Sequence, residues 1–345
     1  MGNQSPPTIF SLKRSSLWRN VEPGIWTTDS DGRRDQALSI IRTLLDQPRW
    51  LEPYHLYDER GSQLFDRICA LPEYYPTRTE NSILTENAAA IIRSARPDCI
   101  VELGAGTSQK TLHLLQEQVK QRGGGAFAPI DVSLASLRIA RDNVKKHFPE
   151  LLFHGLVGKY EEGIGSIEKD LPTLFVFLGS TIGNFNASEF AAFFRHLSES
   201  MGPQDYFLLG VDRVKDAAVL ERAYDDSQGL TAEFILNVFQ NINRLLKSDF
   251  ERNKMRYHSW YNPEWRQIEM YAVSTERQEI AIPRYETSFT WENGERILVE
   301  ISRKFDPDRL QQHLRCFGLN AIAHFTDPQS WFSLLLFQKA SGWRP

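Results

Sequence analysis

Glu102-Leu103-Gly104-Ala105-Gly106-Thr107 is the stretch on which the fold turns. It follows Cys99-Ile100-Val101, a short apolar run of the kind that makes a buried strand. It opens a segment, 107–120, in which Leu112, Leu114 and Leu115 recur at helical spacing. Glycine at 104 and 106 permits the tight turn between the two and lets a ligand approach the backbone, with the first helix amides facing it. Further strands are expected at 127–132, 151–157, 174–178 and 206–211. Helices at 134–147 and through Phe190 and Phe193 separate them. This alternation predicts an α/β fold, a parallel Rossmann-like sheet covered by helices on both faces.

Outside that block the rhythm changes. Before it, Ala37, Ile40, Ile41, Leu44 and Leu45 share a helical face and 80–93 reads as another helix. Between them Tyr54-His55-Leu56-Tyr57 and 61–77 read as aromatic-rich loops. After Asp212, helices are expected at 217–224 and 231–246, then strands at 268–274, 279–282, 287–291 and 296–302. A helix at 307–317 and strands at 320–325 and 333–338 close the chain. A chain of 345 residues exceeds the size at which one core stops growing. The expected division is a mobile arm (1–25), a Rossmann-like domain (79–212 plus 305–345) and a second α+β domain that binds substrate. The N-terminal helices and an insertion (26–78 plus 213–304) would form that second domain.

Composition narrows the partners. The formal net charge is -4, so no basic excess points to nucleic acid or an anionic membrane. No segment approaches the roughly 20 apolar residues of a membrane span, and 1–20 lacks the apolar run of a signal peptide. A soluble, cytoplasmic monomer is expected. Cys69, Cys99 and Cys316 form no CxxC pair, so they are expected to be buried reduced thiols, with no metal and no disulfide. Aromatics at 12% suit a binding cleft.

The cofactor can be narrowed from the turn. Asp131 ends the next strand, about where an acidic residue takes ribose hydroxyls. Position 109 is Gln, so the third glycine of the dinucleotide fingerprint is missing and no pyrophosphate need be cradled. A mononucleoside-like cofactor is favoured over a nicotinamide dinucleotide. Glu102 fits that picture, or equally a strand-end carboxylate paired with a nearby base.

Several segments together resemble a known family. They are Tyr57-Asp58-Glu59-Arg60-Gly61-Ser62, Leu64-Phe65-Asp66, Leu71-Pro72-Glu73-Tyr74-Tyr75-Pro76-Thr77-Arg78, and Glu102 to Thr111. Phe177 to Asn184, Val214-Lys215-Asp216, Ala223-Tyr224-Asp225-Asp226 and Glu300-Ile301-Ser302 complete the set. In this order, from about residue 35 to the C-terminus, the chain resembles the L-histidine Nα-methyltransferases of ergothioneine biosynthesis. The resemblance implies S-adenosylmethionine (SAM) as methyl donor, no metal, and three transfers to the α-amine of L-histidine, giving hercynine. It further implies that Gly104, Lys110 and Asp131 hold the cofactor, with Lys159 and Tyr160 near its adenine. Tyr74, Asn184 and Tyr224 would hold the amino-acid end and serve the reaction, and Glu300 and Ser302 would read the imidazole. Phe65, Gly179 and Met270 would shape the pocket, with Tyr57 a further contact. One departure stands out: many relatives carry aspartate where this chain has Lys159, and an ammonium cannot accept a bond from the adenine amine.

Each residue also has an ordinary structural role. Asn184 makes a good helix cap. Tyr74 precedes Tyr75-Pro76, read as a stiff extended corner. Lys110 suits a solvated helix, and Met270 a core. Glu300 and Ser302 are two apart on a strand, so they share a face opposite Ile297, Val299 and Ile301; alternation alone makes that face solvated. Three other functions compete: methylation of another amino acid or amine such as tryptophan, a nicotinamide-dependent oxidoreductase, and a non-enzymatic partner module. An indole ring has no acceptor for Ser302, and the missing third glycine counts against a dinucleotide.

Overall fold

Cys99–Leu103 is buried along its whole length at the middle of a ten-stranded sheet in a computed structural model. The structure describes residues 11–12, 18–28, 32–168 and 171–343. Across the sheet the order is Leu319–Thr326, Phe332–Lys339, Tyr206–Asp212, Thr173–Phe177, Cys99–Leu103, Gly125–Asp131, Gly155–Val157, Ile25–Thr28 and Trp18–Glu22, with the tenth strand, Leu151–Phe153, also paired to Gly125–Asp131. Neighbours from Tyr206–Asp212 to Ile25–Thr28 run parallel, and the two flanks are antiparallel. Alternate residues feed two separate cores: Val101, Phe175, Phe177 and Phe207 on one face, Ile100, Phe127, Leu174 and Leu208 on the other. This two-sided burial is why these strands read as continuous apolar runs.

A smaller antiparallel sheet, Met255–Asn262, Gln267–Ser274 and Arg296–Arg303, stands apart with the hairpin Gln278–Ile282/Thr287–Trp291. Leu44, Leu64, Tyr74, Tyr224, Phe239, Trp291 and Val299 join one hydrophobic cluster there. It draws residues from 37–75 and 220–299, so the N-terminal helices and the middle of the chain share a core.

Several expectations need correcting. Residues 18–28 are not divided between an arm and the second domain: they pair as a hairpin on the edge of the large sheet. Ser11–Leu12 also pairs, with Ile167–Glu168; positions 1–10 and 13–17 of the expected arm lie outside the described residues. The loop expected over 61–77 contains a helix, Glu59–Cys69. Its N-cap, Asp58, accepts from the Gly61 amide at 2.8 Å, and its buried Leu64 and Ile68 are four apart. Tyr75-Pro76 is no extended corner but the first turn of Tyr75–Ala95, where proline's missing N–H costs nothing. The 151–157 strand is broken into Leu151–Phe153 and Gly155–Val157, and Met255–Asn262 was not foreseen. Of the thiols only Cys99 is buried; Cys69 is half-buried and Cys316 exposed.

The most consequential correction concerns 296–302. Met270 pairs with Glu300 and Tyr271 with Leu298, so Val299 is the extra residue of a β-bulge. The bulge shifts the alternation by one. Glu300 and Ser302 therefore continue the buried series of Ile297 and Val299, while Leu298 and Ile301 are half-exposed. The solvated face that simple alternation expects does not exist at these residues.

Candidate active site

The glycine turn is built around Asp131. Its Oδ2 accepts from the Gly106 amide and its Oδ1 from the Ser133 amide, each at 2.8 Å. Both carboxylate oxygens keep a further lone pair. Gly104 and Gly106 take positive φ values, 65° and 51°, which only glycine adopts freely. A Cβ on Gly104 would lie 3.1 Å from the Tyr160 hydroxyl, whereas one on Gly106 would meet nothing within 4 Å. Beneath the turn, Glu102 accepts from Thr111; its second oxygen and the Ser108 hydroxyl are buried without a partner. Burial pushes Glu102 up to about 7, and raises Asp131 as well.

Lys110 is half-buried and paired, not a free surface lysine. It pairs with Glu80, a fully buried carboxylate that also accepts from the Gly179 amide at 2.9 Å to each oxygen. Glu80 fits because position 210 is glycine: a Cβ there would stand 2.1 Å from its Oε1. The sequence reading missed Glu80, although an acidic residue inside a helix that must pack on a sheet was a usable signal. Lys159 lies elsewhere. Its side chain is exposed with the ammonium 4.4 Å above the Tyr54 ring, so of the 159–160 pair Tyr160 is the one beside Gly104.

The second group of residues gathers where the two sheets meet. Gly183 brings the 179–184 turn against the 296–303 strand: a Cβ on it would be 2.8 Å from the Arg303 carbonyl oxygen. That approach lets Asn184 Nδ2 donate to Glu300 Oε1 at 2.8 Å. Burial pushes Glu300 up to about 8, against the pull of Lys304 and the Asn184 bond. Ser302 and the Tyr224 hydroxyl are 2.8 Å apart. An aromatic series continues from them: Tyr224 to Tyr74 (ring centroids 5.9 Å), Tyr74 to Phe65 (6.2 Å) and Phe65 to Tyr57 (5.6 Å). Burial raises Tyr57 and Tyr74 well above the ordinary phenol range. For Tyr57 the charge of Glu300 adds to the rise. Met270 is a buried core residue on the strand beside Glu300.

Behind both groups lies a charged network that the sequence reading did not anticipate. Asp212, at the end of Tyr206–Asp212, is fully buried and pairs with both Lys215 and Lys304. Burial alone would raise this carboxylate; the two ammoniums outweigh it and hold it below its usual range. The Tyr75 hydroxyl donates to Asp212 at 2.8 and 2.9 Å and accepts from Lys215 at 2.7 Å. Lys304 also reaches Tyr224 and Ser302. A single network thus runs from the large sheet to the residues expected to contact substrate.

The donor set at the turn suits a nucleoside carrying no pyrophosphate. Asp131 has lone pairs for a diol, the backbone at Gly106 is open, and orphaned polar atoms wait beneath. A Rossmann-like sheet with such a turn, beside a buried group of carboxylate, amide and phenols, fits a SAM-dependent methyltransferase. The model of the histidine-specific, SAM-dependent methyltransferases matches residues 35–339, and the chain belongs to that family. It is 39% identical over 308 residues to a histidine N-alpha-methyltransferase of Mycobacterium tuberculosis, covering 89% of this chain and 94% of that one. The corresponding figures for the Mycolicibacterium smegmatis protein of that name are 39% over 307 residues, 88% and 96%. Ergothioneine biosynthesis protein 1 of Neurospora crassa is 32% identical over 295 residues, 81% of this chain and 32% of that longer protein. Among the described residues no helix is long and apolar enough to cross a membrane.

Proposed function

We propose that the chain transfers methyl groups from SAM to the α-amine of L-histidine, three in succession, giving hercynine, the first step of ergothioneine biosynthesis. The observation that carries this reading is the placing of Glu300 and Ser302 on one buried face by the Val299 bulge. A neutral imidazole offers one N–H donor and one acceptor nitrogen. A carboxylate takes the first and a hydroxyl serves the second. An amino acid with an apolar side chain would leave the remaining hydrogen-bonding capacity of both groups unmet, and sites built to bond a substrate's polar group discriminate by up to about 10⁴–10⁵.

Bound SAM supplies an electrophilic methyl group on a sulfonium. The protein's share of the work is orientation and exclusion of water. Gly104, Gly106, Asp131, Lys110 and Tyr160 hold the nucleoside and amino-acid parts of the cofactor. Tyr74, Asn184 and Tyr224 hold the amino-acid end of histidine, with Tyr57, Phe65, Gly179 and Met270 shaping the space around it. The amine must lose its proton before each transfer. The α-amine of an amino acid titrates at or somewhat above about 7.7–8.0, close enough to neutrality that phenols and an amide that pass the proton to water suffice without a strong base. The N-terminal helices and the 213–304 segment act as the substrate-binding unit, closing on the turn of the large sheet.

The test is incubation with SAM and each of the twenty amino acids, followed by mass analysis. A gain of three methyl groups on histidine alone is expected. Methylation of tryptophan in preference to histidine, or tight NAD(H) binding without binding of S-adenosylhomocysteine, would overturn the reading.

A further inference from the structure

Glu80 has no exposed surface, yet three segments converge on its carboxylate. It projects from the helix Tyr75–Ala95 over Gly210 of the Tyr206–Asp212 strand, where a Cβ would stand 2.1 Å from its Oε1. Lys110, two residues before the helix Leu112–Arg122, sets its ammonium on Oε2. The Gly179 amide, just beyond the Thr173–Phe177 strand, donates to both oxygens at 2.9 Å. A Cβ on Gly179 would lie 3.6 Å from Lys110 Nζ, so the ammonium and the turn are neighbours that share one acceptor.

A charge buried this completely is tolerated only with partners, and the two partners of Glu80 belong to different halves of the site. Lys110 is the residue expected to meet the amino-acid end of the cofactor. Glu80 takes one of its three N–H donors, and the side chain is only half-buried, so donors are left for a second anion. Burial alone would lower Lys110; the charge of Glu80 outweighs it and keeps the side chain an ammonium. Gly179 begins the turn that ends on Asn184, the residue expected at the amino-acid end of histidine. Gly179 and Ser180 are both left-handed, with φ of 76° and 57°, a conformation that a serine takes only at a cost. Two contacts pin this turn: the Gly179 amide on Glu80, and the Asp212 amide on the Ser180 hydroxyl at 2.9 Å.

We infer that Glu80 is a positioning residue for the methyl transfer: one carboxylate holds both the Lys110 ammonium and the 179–184 turn, and so fixes the cofactor's amino-acid end relative to the amine that attacks its methyl group. The inference rests on the histidine reading above and deepens it. Transfer needs the amine lined up behind the methyl carbon, and a misplacement of about 1 Å can cost on the order of a hundredfold in rate. A group that touches neither ligand can therefore control the rate through the spacing of the two groups that do.

Two variants separate position from charge. Glu80→Met fills a similar volume and removes both contacts. It should weaken S-adenosylhomocysteine by about tenfold and lower kcat at saturating SAM and histidine by about tenfold or more. Imidazolepropionate, which has the ring and carboxylate of histidine but no α-amine to methylate, should also bind more weakly, through Asn184 and its bond to Glu300. If Glu80 were only a counter-charge, its removal would leave Lys110 freer to attract the cofactor's carboxylate. S-adenosylhomocysteine would then bind as tightly as before or more tightly, and either result overturns the inference. Glu80→Asp keeps the charge and withdraws it by one methylene, and it carries the test if Glu80→Met does not fold. Its kcat should stay depressed; a wild-type kcat would show that the charge suffices wherever it sits, and would overturn the inference too. A framework role would lower Tm in both variants while the folded protein kept wild-type affinities and kcat, which counts equally against it. A wild type that methylates histidine, with variants unchanged in kcat and ligand affinity, overturns this inference alone. One that does not methylate histidine overturns the reading beneath it.

Discussion

Asn184 Nδ2 stands 2.8 Å from Glu300 Oε1, a bond that ties a turn of the large sheet to a strand of the small one. It couples the residue expected at the amino-acid end of the substrate to the residue expected at its ring. Because burial holds Glu300 up at about 8, the carboxyl is poised to exchange its proton for a ligand's N–H. Glu300→Ala should raise KM for histidine by about a hundredfold or more while S-adenosylhomocysteine affinity changes little. Steady-state kinetics and calorimetry check this; equal losses for both ligands would make Glu300 a framework residue.

Gly183 permits that bond. Its absent Cβ would meet the Arg303 oxygen at 2.8 Å and the Arg303 nitrogen at 3.1 Å, both backbone atoms that cannot step aside. Gly183→Ala should therefore lever the turn off the strand at a cost of about 1–3 kcal/mol. The expected result is a lower Tm together with a raised KM for histidine. Unchanged values of both would show that the two sheets are not held at this point.

Asp131 fastens the glycine turn through two charge-assisted bonds from backbone amides. Each such bond contributes roughly 1.5–3 kcal/mol. Asp131→Ala should weaken S-adenosylhomocysteine by about tenfold or more, measured by calorimetry, and leave imidazolepropionate binding near its wild-type value. Loss of the imidazole ligand instead would place Asp131 in the wrong half of the site.

Glu102 is raised to about 7 by burial, against its ordinary value of 4.5. A carboxyl whose folded value is raised binds its proton more tightly in the native state. Stability is therefore greatest below the unfolded value and falls as pH rises from about 4.5 towards about 7, by on the order of 3 kcal/mol. Glu102→Gln removes that loss. In thermal melts without ligand it should raise Tm near pH 8 and do little near pH 5. An equal gain at both values would mean that the gain does not come from sparing the ionisation of a buried carboxyl.

Much of the large sheet was legible because its strands are buried on both faces and separated by helices of clear spacing. Cys99–Leu103 and Leu134–His147 fall where the pattern puts them. The helix Glu59–Cys69 was hidden by Gly61 and the aromatic residues around it, which look like loop composition. Its cap at Asp58 was the available signal. Glycine at 61 is required for another reason: a Cβ there would lie 1.7 Å from the Leu56 carbonyl oxygen. The site divides in the same way. Asp131 and the glycine turn follow from local spacing, whereas Glu300 and Ser302 were named through resemblance, since a period-two reading puts them in water. Lys304, Asp212, Lys215 and Glu80 were given no part in the site. Each is a charge buried against a partner distant in sequence or packed between elements, and single-residue patterns carry no trace of such pairing.

The bulge at Val299 adds a final consequence. Removing that one residue would leave every carboxylate, hydroxyl and amide of the pocket present in the chain. Unbroken pairing would nevertheless turn either the hydrophobic half of the strand or its polar half outwards. On the proposed reading, substrate choice is therefore written partly as a count. The strand contains one residue more than its neighbour can match, and that surplus is what lets a single ribbon be greasy at one end and selective at the other while presenting the same side throughout.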